Sequence, residues 1–298
     1  MNNIETPFSV AAVVVLYWPD PETISFIKEL NRGGWWLVVV VNSIDEHNRD
    51  RLNQIAPRDI IYNRQNLGLA YALNQGCEQA FQSGATHVLL LDQDSRPHRD
   101  LPAQLLDDLI SLTSNGHAIG AIGPKLVDMK DSSGTAGTGN KSHPRFETVD
   151  TLATSGSLIS RAAFESVGKM YDWLFIDDID HEWCFRASHG RYAVIRSNRR
   201  EMIHNMGDGG VTLLGRYRPL HRSPVRHYYI TRNTIYLCRQ PYVRLGWRVT
   251  EALKLWYRIP IYLLISTNPI SSFNKIILAI IDGIKHKNNV KIERVMHE

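Results

Sequence analysis

The chain has 298 residues, 43% of them hydrophobic and 21% charged, a balance that excludes a disordered polyelectrolyte and allows a sizeable buried core. Its net charge of +4 is uneven: from Arg239 onward ten Lys and Arg stand against four Asp and Glu, and the rest carries 24 basic and 26 acidic side chains. The basic tail is interleaved with long aliphatics instead of a stacking platform, so nucleic acid is not the expected partner. Cys77, Cys184 and Cys238 form no CxxC pair and read as reduced thiols in a cytosolic setting, with no zinc site.

The opening "MNNIETPFSVAAVVVLYWPD" carries Glu5 and no basic stretch, and its apolar run Val10 to Leu16 is too short for a secretory leader. It reads as the first core strand. Further β-branched runs follow at 35–41, 59–63, 87–92 and 118–124, all with the look of strands buried on both faces. Between them, "PDPETISFIKELNRGG" and "NLGLAYALNQGCEQAFQSG" are expected helices, each stopped by glycine. Alternating strands and helices predict an α/β fold with a mostly parallel, doubly wound sheet flanked by helices, whose ligands bind beyond the carboxyl ends of the strands.

Residues 125–150 are polar and glycine-rich, a mobile loop or an irregular hairpin. After them, "TLATSGSLISRAAFESVG" predicts a strand, a turn and a short helix. "DWLFIDDIDHEWCFRASHGRYAVI" predicts a loop, a helix ending near Gly190 and another strand. From Pro241 the texture turns to Trp, Tyr, Leu and Ile mixed with Arg and Lys. No stretch reaches the ~20 uncharged apolar residues of a spanning helix. The expected domains are a catalytic unit over 1–238 and a basic amphipathic helical tail over 239–298, lying on an anionic membrane surface or packed on the catalytic unit.

Two carboxylates one residue apart, Asp92 and Asp94 in "LLLDQDS", end the fourth strand. Oxygen ligands in that position suit Mg²⁺ or Mn²⁺ holding the phosphates of a nucleotide, although Asp94 or Ser95 would equally cap a following turn. Asp177, Asp178, Asp180 and Glu182 crowd the mouth of the next helix, more acids than helix capping needs. A carboxylate among them is a candidate general base on an acceptor hydroxyl. His204, in "HNMGDGG", is a candidate to complete a metal's shell.

The segments "NLGLAYALNQG", "LLLDQDS", "TSGSLIS", "FIDDIDHEWCFRASHGRY", "HNMGDGG" and "SPVRHYYITRN", in this order over roughly residues 10–235, resemble glycosyltransferase family 2. Within that family of inverting enzymes with the GT-A fold, the chain is similar to the bacterial rhamnosyltransferases. The resemblance implies Asp94 as direct metal ligand, Asp92 near the ribose or a metal-bound water, and His204 joining the metal. It implies Asp180 as catalytic base, with Glu182 and Trp183 shaping the acceptor site. Gly156 and Ser157 match the turn near the diphosphate, and Arg226 and Arg232 fall where the chain closes over phosphates or acceptor. One departure concerns the base: the family's Asp after the second strand is replaced in "VVVVNSID", leaving Asn42 to hydrogen-bond a base edge, with Tyr17 and Asn66 as further pocket candidates.

The implied reaction is metal-assisted transfer of L-rhamnose from dTDP-β-L-rhamnose to a saccharide, carried on a polyprenyl diphosphate, in O-antigen or cell-surface polysaccharide synthesis. The implied location is the cytoplasm, peripheral on the inner face of the membrane. The alternatives are the same fold with UDP-galactofuranose or a UDP-hexose, and a membrane-associated module that binds without catalysing.

Overall fold

Continuous apolar strands need cover on both faces, and this sheet has it. The structure is a computed structural model and describes residues 8–43, 46–128, 144–204, 210–213, 216–219 and 221–285. Strands β1 (Val10–Leu16), β2 (Trp36–Val41), β3 (Asp59–Tyr62) and β4 (His87–Asp92) are parallel, with β1 between β2 and β4. Val13, Val38, Val40, Val88 and Leu90 face one core layer, while Val14, Leu37, Val39, Leu89 and Leu91 face the other. Alternation across the pleat thus explains why both residue parities are apolar.

Helix α1 (Pro21–Arg32) begins where Asp20 accepts a hydrogen bond from the Thr23 amide at 2.7 Å, and it stops at Gly33–Gly34. Helix α2 (Glu46–Ile55) precedes β3, and α3 (Leu69–Gln82) covers β1 and β2. Gly76 lets α3 press onto the sheet, since a Cβ there would lie 2.3 Å from Val13 Cγ1.

Beyond α4 (Leu101–Ser114) come β5 (Ile119–Asp128), β6 (Phe146–Thr148), β7 (Leu158–Ser160), α5 (Arg161–Val167), α6 (Ile179–His189) and β8 (Ala193–His204). The eight strands lie in the order β3-β2-β1-β4-β7-β5-β8-β6. β7 runs antiparallel to both β4 and β5, and β6 antiparallel to β8, so the mostly parallel sheet carries two reversed strands. The polar segment 125–150 is partly strand: β5 runs on to Asp128 and β6 lies near its end, while 129–143 fall outside the described residues. A small hairpin pairs β9 (Gly210–Leu213) with β10 (Arg216–Pro219).

Three helices close the chain: α7 (Pro224–Cys238), α8 (Leu245–Ile265) and α9 (Pro269–Lys285). The expected boundary at 238/239 falls between α7 and α8, yet α7 packs chiefly on α9. Tyr228 Oη donates to Asp282 at 2.9 Å and His227 Nδ1 lies 2.9 Å from Ser272 Oγ. Among the described residues no helix is long and apolar enough to cross a membrane. Among the described residues, part of the tail's positive charge is turned inward. Lys254 and Arg258 both turn onto Glu251, Arg248 donates to the Cys238 carbonyl, and Lys275 is buried. The outward stripe is instead apolar, with Trp256 and Leu264 each 84% exposed beside Leu253, Ile270 and Phe273.

Candidate active site

The apolar body of β4 delivers Asp92 to the carboxyl edge of the sheet, level with Val15 of β1. There the chain turns: Ser95 N donates to Asp92 O at 3.1 Å, and Gln93 Oε1 accepts from Tyr17 N at 2.8 Å. Asp94 projects from this turn and is exposed. Arg96 leaves the turn to pair with Glu22 and forms an antiparallel bridge to Ile203 of β8. That bridge brings the backbone of His204 alongside the turn carrying Asp94.

The oxygen donors Asp92 and Asp94 fit a hard divalent ion that keeps most of its shell as water and phosphate oxygens. The side chain of His204 lies outside the described residues, and among those described no three His, Cys, Asp or Glu form a ligand cluster.

The turn "TSGS" is sewn to β4. Gly156 N donates to Leu90 O at 2.8 Å and Leu90 N to Ser157 O at 2.9 Å, while Ser157 Oγ donates to Ala153 O. Gly156 has φ +85°, and a Cβ there would meet Pro124 at 2.9 Å. The residues ahead of Gly156 join the two acidic motifs. Ser155 Oγ contacts Ser95 Oγ, next to Asp94, and Thr154 N donates to Asp180 Oδ2 at 3.2 Å.

Asp180 sits in the first turn of α6, where its Oδ1 also accepts from the His181 amide at 2.8 Å. The His181 imidazole lies 3.1 Å from Asp178 Oδ1 and 3.7 Å from Asp180 Oδ1. Desolvation lowers its pKa, but attraction to Asp180, Asp178 and Glu251 outweighs this and carries it up to about 9. His181 is therefore a cation at neutral pH, set between two carboxylates.

Several expected site residues are engaged in buried contacts. Glu182 is fully buried, takes both Arg186 Nε and Nη2, and accepts from Tyr242 Oη at 3.0 Å. Trp183 is buried and donates from Nε1 to Gly168 O at 2.8 Å. Both side chains pack into the core side of α6. Arg232 is buried and donates to the carbonyls of Trp173 and Leu174, leaving it turned from any phosphate site. Arg226 is half-buried and pairs with Asp177, with Nη2 at 3.0 Å.

Asn42 is buried among amides. Its Nδ2 donates to Asn66 Oδ1 and Gly68 O, and its Oδ1 accepts from Asn63 Nδ2 and Leu67 N. Asn66 Oδ1 also accepts from Gly68 N at 3.0 Å, so Asn42 and Asn66 together shape the loop before α3. Tyr17 is half exposed at the end of β1 and, with exposed Trp18 in edge contact, borders the same strand ends. Trp18 was not singled out by sequence, although its φ of +46° marks a constrained turn. His181 and the Ser95–Ser155 contact were also not singled out, whereas Asp178 was named only as one of four clustered acids. A histidine beside two acids was visible, whereas the serine pair has no local signal.

No family model matches the chain. A dTDP-rhamnosyl transferase, RfbF of Shigella flexneri, is 31% identical over 290 residues, covering 93% of this chain and 96% of that protein. The chain belongs to glycosyltransferase family 2. This glycosyltransferase shares its fold with S. aureus TarS, whose 1–349 fragment superposes with TM-score 0.56 at 12% identity over 97% of this chain and 82% of that one. It also superposes on GalNAc-T7, solved with UDP, GalNAc and Mn²⁺, with TM-score 0.52 at 13% identity over 83% of this chain and 55% of that one. The mostly parallel sheet with flanking helices is the GT-A architecture of these enzymes.

Proposed function

We propose that this glycosyltransferase moves L-rhamnose from dTDP-β-L-rhamnose to a hydroxyl of a saccharide, inverting the anomeric centre. The observation that carries the donor is the near full-length similarity to a dTDP-rhamnosyl transferase. The chemistry is supported by the contact chain Asp94–Ser95···Ser155–Thr154···Asp180, which ties a phosphate-side carboxylate to a candidate base.

In this reading the acceptor oxygen attacks C1 while its proton passes to the Asp180 carboxylate. The C1–O bond to the diphosphate breaks, and dTDP departs with the electron pair. Thr154 N and His181 N orient Asp180, since both donate to its oxygens. Mg²⁺ or Mn²⁺ held by Asp92 and Asp94, with His204, would supply neutralisation of charge on the leaving diphosphate. Gly156 and Ser157 keep the turn next to the strand end narrow enough for a backbone to approach phosphate. The acceptor is proposed to be polyprenyl-diphosphate-linked, with the apolar stripe of α8 and α9 resting on the inner face of the cytoplasmic membrane.

The test is turnover of a nucleotide-sugar panel by the purified chain with Mn²⁺, with Mg²⁺ and with EDTA. Release of dTDP from dTDP-β-L-rhamnose only with metal is expected. Turnover of UDP-galactofuranose or a UDP-hexose instead would discard the rhamnosyl donor. Donor binding without turnover, even with polyprenyl-linked saccharides supplied, would favour a module that binds without catalysing.

A further inference from the structure

The loop that leads into α6 holds an unusual backbone without glycine. Phe175, Asp177 and Asp178 have φ values of +65°, +65° and +59°. At Phe175, with ψ −62°, Ile176 N closes onto Leu174 O at 2.7 Å, the strained hand of the γ-turn. Each such residue costs on the order of 1–3 kcal/mol, so the loop persists only if its surroundings hold it.

The surroundings come largely from one stretch of α7. The Asn233 carboxamide, fully buried, places Nδ2 at 3.0, 2.9 and 2.9 Å from the carbonyls of Leu174, Ile176 and Asp177. Its Oδ1 accepts from Arg232 Nε and Nη2, and that guanidinium also takes the carbonyls of Trp173 and Leu174. Thr234 Oγ1 donates to Asp178 Oδ2 at 3.2 Å, the carboxylate whose other oxygen meets His181. Tyr229 stacks on the Phe175 ring at 4.7 Å. The carbonyls of Leu174, Ile176 and Asp177 thus point at the Asn233 amide of α7, while the Phe175 carbonyl accepts from Leu69 N at the start of α3 at 2.6 Å and the Asp178 carbonyl from Glu182 N at 3.0 Å.

We infer that Asn233 and Thr234 are positioning residues that fix the strained loop and, through it, the placement of the Asp180 carboxylate against Thr154 and the acceptor. This rests on Asp180 acting as the base. Asn233 touches no reacting atom; its part is to define where α6 begins. An aspartate in its place has the same outline but no N–H, and it would set a carboxylate against three carbonyls.

The experiment compares wild type, Asn233→Asp, Thr234→Val, Asp180→Asn and Leu109→Ala, the last a truncation on α4 in the opposite core layer that lowers stability by leaving a cavity. Each is assayed for dTDP release from dTDP-β-L-rhamnose, or for nucleotide release from whichever panel donor the wild type turns over, well below its Tm. Asn233→Asp is expected to lose about 10²-fold in kcat, and Thr234→Val about 3–10-fold, with donor KM unchanged, as for lost positioning. Leu109→Ala should keep kcat despite its lower Tm. A folded Asn233→Asp with wild-type kcat overturns the inference, as does a kcat that falls only in step with Tm. If Asn233→Asp does not fold, wild-type kcat in Thr234→Val overturns it. An inactive Asp180→Asn beside a fully active Asn233→Asp sinks the positioning role alone, while wild-type turnover in Asp180→Asn removes the base reading and this inference together.

Discussion

The two acidic motifs are built by opposite means. Asp92 and Asp94 leave a strand whose preceding residues are buried and apolar, so ordinary sheet pairing places them and the turn needs few special contacts. Asp177 and Asp178 stand on a strained segment, with Asp180 in the helical turn just after it, and that segment is held by side chains about 50 residues later in the chain, from Arg226, Arg232, Asn233 and Thr234. The first motif inherits its position from the core. The second depends on an external clamp.

The largest expected effect breaks the comparison at its chemical end. Asp180→Asn should lower turnover by about 10²–10⁴-fold while donor affinity and Tm stay near wild type, measured by steady-state kinetics and donor titration. Asp94→Asn should act on the other motif: loss of a direct ligand lowers divalent-metal affinity by at least about 10–100-fold, read from the Mn²⁺ dependence of turnover. Equal metal dependence in both variants would mean that the two motifs do not divide the work as described.

A smaller effect falls on the joint between loop and sheet. Gly68, φ +90°, lies under Phe175, and a Cβ would come 2.6 Å from that ring. Gly68→Ala should cost about 1–3 kcal/mol in thermal unfolding. Its kcat should fall as well, since the ring it displaces belongs to the strained loop.

Two histidines sharpen the contrast at the smallest scale. His87 opens β4, and burial lowers its pKa to about 4. Its contribution is present above the unfolded value of 6.5 and is lost as pH falls toward 4, by up to about 3 kcal/mol. His181 behaves in the opposite sense: with its pKa raised to about 9, its contribution is present below 6.5 and disappears as pH rises through 9. His181→Gln should therefore narrow its Tm gap from wild type above pH 9, and His87→Gln should flatten the acid limb of stability, both measurable by calorimetry.

What was legible in sequence follows the same division. Strands β1, β2 and β4 announce themselves because burial on both faces demands uninterrupted apolar runs. The end of β4 is marked by the abrupt onset of charge. Reversal of β7 was not legible, because a three-residue strand between a tight turn and a helix carries no direction in its composition. The burial of Glu182 and Trp183 was not legible for a related reason: the run "DDIDHEW" does not show which of its members pack against Arg186, Tyr242 and Gly168. Asn233 was hidden within "SPVRHYYITRN", where only the folded loop shows what its amide reaches. Asn42 looked available because its many partners are themselves asparagines and glycines with no pattern of their own.

The Thr154–Ser155 dipeptide has a consequence for how such an enzyme diversifies. Because adjacent residues of one turn touch the surroundings of Asp94 on one side and Asp180 on the other, the span between the proposed leaving-group and base positions is set by a single peptide unit. Insertions in the outer loops can then re-shape which sugar is accepted without altering that span. The turn acts as a ruler, and a lineage can exchange what it measures against while keeping the ruler.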